Sequence, residues 1–208
     1  MPASASEVAS QKHAPAVDGV LPVFHQRWSA RAFSPRQVSK ADLHRIFEAA
    51  RWAPSSNNEQ PWRYIVGLRG TPTHEKIAAC LLGFNQAWAP KAPVLIVGLA
   101  KAKMTNGSTN HFAFYDLGAS TASLVLQAAA LGMTTHQMGG IDREKARAQL
   151  EIPAEYEIAA AIALGYQDHP ETLGNEELVK RELSPRNRKP LSEIALSAWG
   201  QPLEIGER

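Results

Sequence analysis

The stretch from Phe112 to Leu131 is small and apolar nearly all round: Ala113, Leu117, Ala119, Ala122, Leu124, Val125, Leu126, Ala128, Ala129 and Ala130. Gly132 then supplies a C-terminal helix stop. A helix apolar on every side must be buried on every side. This segment is therefore either the central helix of a domain or part of a subunit interface. At 208 residues, 44% hydrophobic and 20% charged, the chain is a one-domain length with enough apolar material for a real core.

Other elements follow from punctuation and periodicity. Ser39 is placed as an N-cap with Asp42 in the capping-box position, and Leu43, Ile46, Phe47 and Ala50 recur at helical spacing until Pro54. Tyr64–Leu68 and Val94–Leu99 read as strands, and a short helix is expected from His74 to about Leu82 after Thr73. Asp142 caps a helix to about Leu150, closed by Pro153, and Glu157 to Tyr166 forms a third strand. Residues 1–23 show no helical or strand periodicity and read as a flexible arm. From Asn175 onward the chain is charged and punctuated by Pro185, Pro190 and Pro202, which suggests an extended arm on a surface. Helices and strands mix through one domain, and periodicity alone leaves α+β and α/β open.

Several chemistries are disfavoured. The seven histidines show no pair at metal-ligand spacing, and the nucleotide-binding and nucleophile-elbow glycine motifs are missing. A net charge of +2 is too weak to argue for nucleic acid. Cys80 is the one cysteine and reads as a small buried hydrophobe. With no secretory signal or membrane-spanning run in the sequence, a cytoplasmic location is the default expectation.

Four local features could carry function. In Arg27-Trp28-Ser29-Ala30-Arg31, extended geometry would put Arg27, Ser29 and Arg31 on one face as a seat for phosphate. Pro54-Ser55-Ser56-Asn57-Asn58-Glu59-Gln60-Pro61-Trp62 brackets hydroxyls and amides between two prolines, each biasing its predecessor toward extended geometry. Gln137-Met138-Gly139-Gly140 lets backbone approach a ligand, and Arg186 and Arg188 form a second alternate-spaced basic pair. Taken singly, each reads equally as an ordinary turn or a solvated basic surface.

In combination, order and approximate spacing, the four resemble the nitroreductase family of FMN-dependent oxidoreductases, over about Phe24 to Leu191. The resemblance implies an α+β fold, a three-layer sandwich with a central mixed sheet flanked by helices, in an intertwined homodimer with FMN at the interface. The expected organisation is an arm at 1–23, the FMN-binding domain at 24–191 and an extension at 192–208. By resemblance, Arg27, Ser29, Arg186 and Arg188 hold the FMN phosphate, and Arg31 reaches the pyrimidine end of the flavin. Trp28 contributes backbone, Asn58 with Ser55 and Ser56 meets the ring edge, and the Gly139 and Gly140 backbone approaches N5. NADH or NADPH is the implied reductant, and nitroaromatics, quinones or similar flat electrophiles are the implied acceptors in a ping-pong cycle. A specialised flavin enzyme of the same fold, or a non-catalytic flavin-binding protein, is the alternative. No catalytic acid or base is assigned, and His111, Tyr115 and Asp116 read as structural.

Overall fold

The computed structural model describes residues 4–205. Its helices are α1 (Ala5–Gln11), α2 (Pro22–Gln26), α3 (Lys40–Arg51), α4 (Pro72–Ala79), α5 (Ala113–Ala130), α6 (Arg143–Gln149) and α7 (Glu176–Leu183). The strands are β1 (Trp62–Leu68), β2 (Val94–Lys101), β3 (Thr134–Met138) and β4 (Tyr156–Gly165), followed by a small β5 (Leu196–Ala198) and β6 (Gln201–Pro202) pair. The architecture is α+β.

The main sheet has the order β1-β2-β4-β3. Each neighbouring pair is antiparallel, from Trp62 opposite Ala100 at one edge to Met138 opposite Ala161 at the other. The expected mixed sheet is thus corrected: among the described residues every paired strand runs antiparallel. The reason is topological. β2 and β3, joined through α5, run the same way, but β4 returns between them and takes up the hydrogen bonds of both.

From Val94 to Ala100, β2 is buried at every position, as a strand covered on both faces must be. Leu95, Val97 and Leu99 pack with Ile77 and Leu81 at and just after α4, and with Ala146, Trp88 and Leu178. On the opposite face Val94 and Ile96 pack with Ile46 and Ala50 of α3 and with Leu124, Val125 and Ala128 of α5. The close seating of α4 depends on Gly67. A Cβ there would lie 2.5 Å from the backbone N and Cα of His74.

Local chemistry explains most boundaries. Ser39 caps α3 by accepting from the Asp42 amide, and Asp142 caps α6 by accepting from Lys145. The α4 cap is Thr71 rather than the expected Thr73, because Pro72 suits the first helical position. Gly132, at φ +75°, ends α5 in left-handed geometry. α5 is not buried all round in one chain: Phe114 (55% exposed) and Tyr115 (79%) face outward beside exposed Gly118 and Ala122.

Two expectations from sequence need correction, and one strand goes unforeseen. Residues 4–23 hold α1 and the start of α2, with a Ser4–Glu7 capping box and Val8 fully buried against Trp28 and Ala30, while residues 1–3 of the expected arm lie outside the described residues. The stretch after Asn175 begins as α7, because the Asn175 side chain accepts from the Leu178 amide and Leu178 is buried. β3 was not anticipated, since its residues Thr134-Thr135-His136-Gln137-Met138 lack an apolar alternation. Cys80 is buried, as its context suggested, and free. No described helix is long and apolar enough to cross a membrane.

Candidate functional site

After α2 the chain runs extended beside β3. Trp28 and Ala30 are buried, while Ser29 is exposed and Arg27 and Arg31 are half-buried, the alternation expected of an extended strip. Two hydrogen bonds fix the strip to the sheet edge. The Thr134 hydroxyl donates to the Trp28 carbonyl at 3.4 Å, and His136 Nδ1–H donates to the Ala30 carbonyl at 3.0 Å.

α7 holds the strip from the other side. Glu182 is fully buried, and its carboxylate accepts from the amides of Arg31 (2.9 and 3.0 Å) and Ala32 (3.1 Å). It also lies 3.7 Å from the Arg31 guanidinium. Burial pushes the Glu182 carboxyl up, against the pull of those amides and of the Arg31 and Lys12 charges.

The two arginine motifs, remote in sequence, converge here. Lys12, Arg27, Arg31, Arg181, Arg186 and Arg188, with Ser29, line one cavity of about 210 Å³. Arg181 is offset by Glu177 at 2.8 Å and Arg31 by Glu182. Arg27, Arg186 and Arg188 make no ion pair with a carboxylate among the described residues. Burial first, and then the neighbouring Arg188, push the Arg27 guanidinium down; burial, Arg27 and Arg188 do the same to Arg186. Guanidinium groups stay protonated, so an anion, rather than proton loss, would relieve the crowding. Arg186 is not wholly free, however. Its Nη1 donates to the carbonyls of Lys12 and His25, which ties the N-terminal segment to the site.

The Pro54–Trp62 loop is tightly built. Asn57, Asn58 and Gln60 all have positive φ, at +50°, +55° and +47°. Three such non-glycine residues in four positions are a concentration of backbone strain of the kind found at functional sites. Gln60 departs from the extended geometry expected before proline. Its amide donates to Ser55 Oγ at 3.0 Å, and its side-chain amide donates to Asn58 Oδ1 at 3.1 Å. Ser56 is held through its backbone, which donates to Asp116 Oδ2 at 3.1 Å. Asp116, 3% exposed, is therefore a loop anchor, as its structural reading required. Glu59 accepts from the Thr105 amide and hydroxyl, joining the loop to the segment between β2 and α5.

At the end of β3, Gly139 is exposed, and a Cβ there would meet nothing within 4 Å. Gly140 differs. A Cβ would lie 2.8 Å from Asn85 Nδ2, and its carbonyl accepts from the Leu82 amide at 3.0 Å. The turn around Leu82 and Asn85 thus packs against Gly140 and leaves Gly139 as the more open of the two glycines.

One chain does not bring all these parts together. The cationic cavity and Gly139 border β3, whereas the Ser55–Asn58 loop leads into β1 at the opposite edge. Two intervening strands separate those edges by roughly 14 Å of hydrogen-bonded sheet. Sequence reasoning missed Lys12, Arg181, His136 and Glu182. The last had a signal in an acid on the apolar side of an amphipathic helix beside Leu178.

Comparison with known proteins identifies the fold and the family. The sequence profile of the Nitroreductase family matches residues 25–83 and 68–166. A protein of Archaeoglobus fulgidus, named as a candidate NADH dehydrogenase/NAD(P)H nitroreductase, is 33% identical over 150 residues, covering 70% of this chain and 84% of the relative. A crystal structure described as an oxidoreductase containing FMN superimposes with a TM-score of 0.81 at 32% identity, covering 88% of this chain and 93% of that one. A candidate nitroreductase from Desulfovibrio desulfuricans in complex with FMN gives 0.69 at 26% identity, covering 88% and 98%. This chain belongs to the nitroreductase family.

Proposed function

We propose that the protein is an FMN-dependent oxidoreductase that takes reducing equivalents from NADH or NADPH and passes them to a flat electrophile such as a nitroaromatic or quinone. The observation that carries the reading is the convergence of Arg27, Ser29, Arg186 and Arg188 on one cavity with an excess of cationic groups. A phosphate monoester fits that donor set in charge and chemistry. When bound, FMN supplies the two-electron chemistry, and the protein supplies position and field.

The chain's own residues divide that work. Arg27, Arg186, Arg188 and Ser29 would bind the phosphate, and Arg31, its backbone held by Glu182, would place positive charge toward the pyrimidine end. The strained loop would present Asn58 to the ring edge with Ser55 and Ser56 behind it, and the exposed backbone of Gly139 would face N5. Trp28 is buried, so only its backbone is available to the cofactor. Because the loop and the cationic cavity lie at opposite sheet edges, a complete site calls for a second copy of the chain. The outward apolar stripe of α5, and exposed Leu191, Ile194 and Trp199 in the C-terminal extension, suit an intertwined homodimer.

The absorption spectrum of purified protein, before and after FMN and then NADH or NADPH, tests the reading. Flavin bands that bleach with either nicotinamide are expected. Protein that stays colourless after incubation with FMN would refute it. Parallel double-reciprocal plots against acceptor are expected for substrates that take turns at one site, and intersecting plots would exclude the ping-pong order.

A further inference from the structure

The cationic cavity contains a residue that neither the four motifs nor the family-matched region includes. Lys12 lies upstream of residue 25, where that region begins, and it is only 4% exposed. A buried ammonium is costly unless paired, yet no carboxylate lies within ion-pair distance of it among the described residues. Its Nζ donates to the Ser184 carbonyl and sits 5.0 Å from the Trp28 ring centroid. The nearby acid, Glu182, is occupied by the amides of Arg31 and Ala32. An ammonium has three donors, so two are left beyond the bond to Ser184.

The fold fixes this position firmly. Val8 of α1 is buried against Trp28 and Ala30. The Ala14 amide donates to the His25 carbonyl at 2.9 Å, and the Lys12 carbonyl accepts from Arg186. The N-terminal segment is thereby clamped to both arginine motifs, with its one buried cation lining the same cavity. Burial, Arg31 and Arg186 push the Lys12 ammonium down, opposed by Glu182. An anion in the cavity would relieve the part of that stress which comes from the arginines.

We propose that Lys12 is a further phosphate-binding residue, supplied to the cofactor site by the N-terminal segment. The proposal rests on the flavin reading above and assigns the segment a role in retaining the phosphorylated form of the cofactor. Comparison of FMN with riboflavin, which lacks the phosphate, isolates that role. Lys12→Met should raise the Kd for FMN about tenfold, with the riboflavin Kd unchanged, and Lys12→Arg should recover most of the loss. Equal weakening of both flavins, or an unchanged FMN Kd, would overturn the proposal. Lys12→Gln, which keeps a donor for the Ser184 carbonyl, replaces the Met variant if that one fails to fold. If the wild-type protein binds no flavin, the functional reading fails, and inorganic phosphate then decides the role of Lys12. Thermal stabilisation by phosphate at constant ionic strength, lost in the variant, would support it. Equal stabilisation of both proteins, or none of the wild type, would reject it.

Discussion

His136 should give the protein a specific acid sensitivity. Its Nδ1–H donates to the Ala30 carbonyl, its ring lies 4.6 Å from that of Trp88, and the Arg31 charge is close by. Burial first, and then Arg31, lower its pKa to about 4, against the opposing bonds to the Ala30 and Ser29 backbone. The unfolded chain titrates near 6.5. Between these values the unfolded state binds the proton and the native state does not, so stability falls as pH drops through that window. From pH 7 to pH 5 the loss from this one group is about 2 kcal/mol, or a urea midpoint shift of roughly 1 M for a slope of about 2 kcal/mol/M. His136→Gln removes the titration while leaving a donor for the Ala30 carbonyl. Urea unfolding of both proteins at the two pH values and one protein concentration isolates the effect, because other titrating groups cancel in the double difference. A variant that loses as much stability on acidification as the wild type would refute the argument, as would a His136 ring that titrates near 6.5 by NMR.

Three further outcomes follow from the same packing. Gly67→Ala should destabilise by at least about 3 kcal/mol, at the upper end for overpacking, because the clash is with helix backbone that cannot rotate away; near wild-type thermal stability would show that α4 can shift. Asp116→Ala should cost about 1–2 kcal/mol by leaving the Ser56 amide without its acceptor, and faster hydrogen exchange of that amide is the specific sign. Glu182→Gln should lower the urea midpoint by about 1 M, since an amide can accept from the Arg31 and Ala32 donors only through its one oxygen. It should also weaken FMN binding as the strip loosens, and unchanged affinity would limit Glu182 to a stabilising role.

Much of the scaffold was legible in the chain because it is written in short-range signals. Ser39, Asp142 and Gly132 mark helix ends by chemistry that acts within a turn, and the unbroken apolar run of β2 requires cover on both faces. β3 was hidden because it is an edge strand whose polar residues bond laterally to the Arg27–Arg31 strip instead of alternating in hydropathy. α1 and α7 were hidden because each is short and held by a few long-range contacts, Val8 on Trp28 and Glu182 on Arg31.

The site shows the same division. The residue types that suit a phosphate and a flat polar-edged ring stand in the sequence as Arg27 to Arg31, Pro54 to Trp62, Gly139 with Gly140, and Arg186 with Arg188. Their chemistry is intrinsic to the residue types, and their order along the chain is visible before any fold is known. Only the tertiary structure could decide that the arginine pairs share one cavity, that Lys12 joins them, and that the amide-rich loop lies at the far edge of the sheet. Those facts depend on strand order and on contacts across more than a hundred residues, where local propensity carries no information and burial of the two cores decides the arrangement.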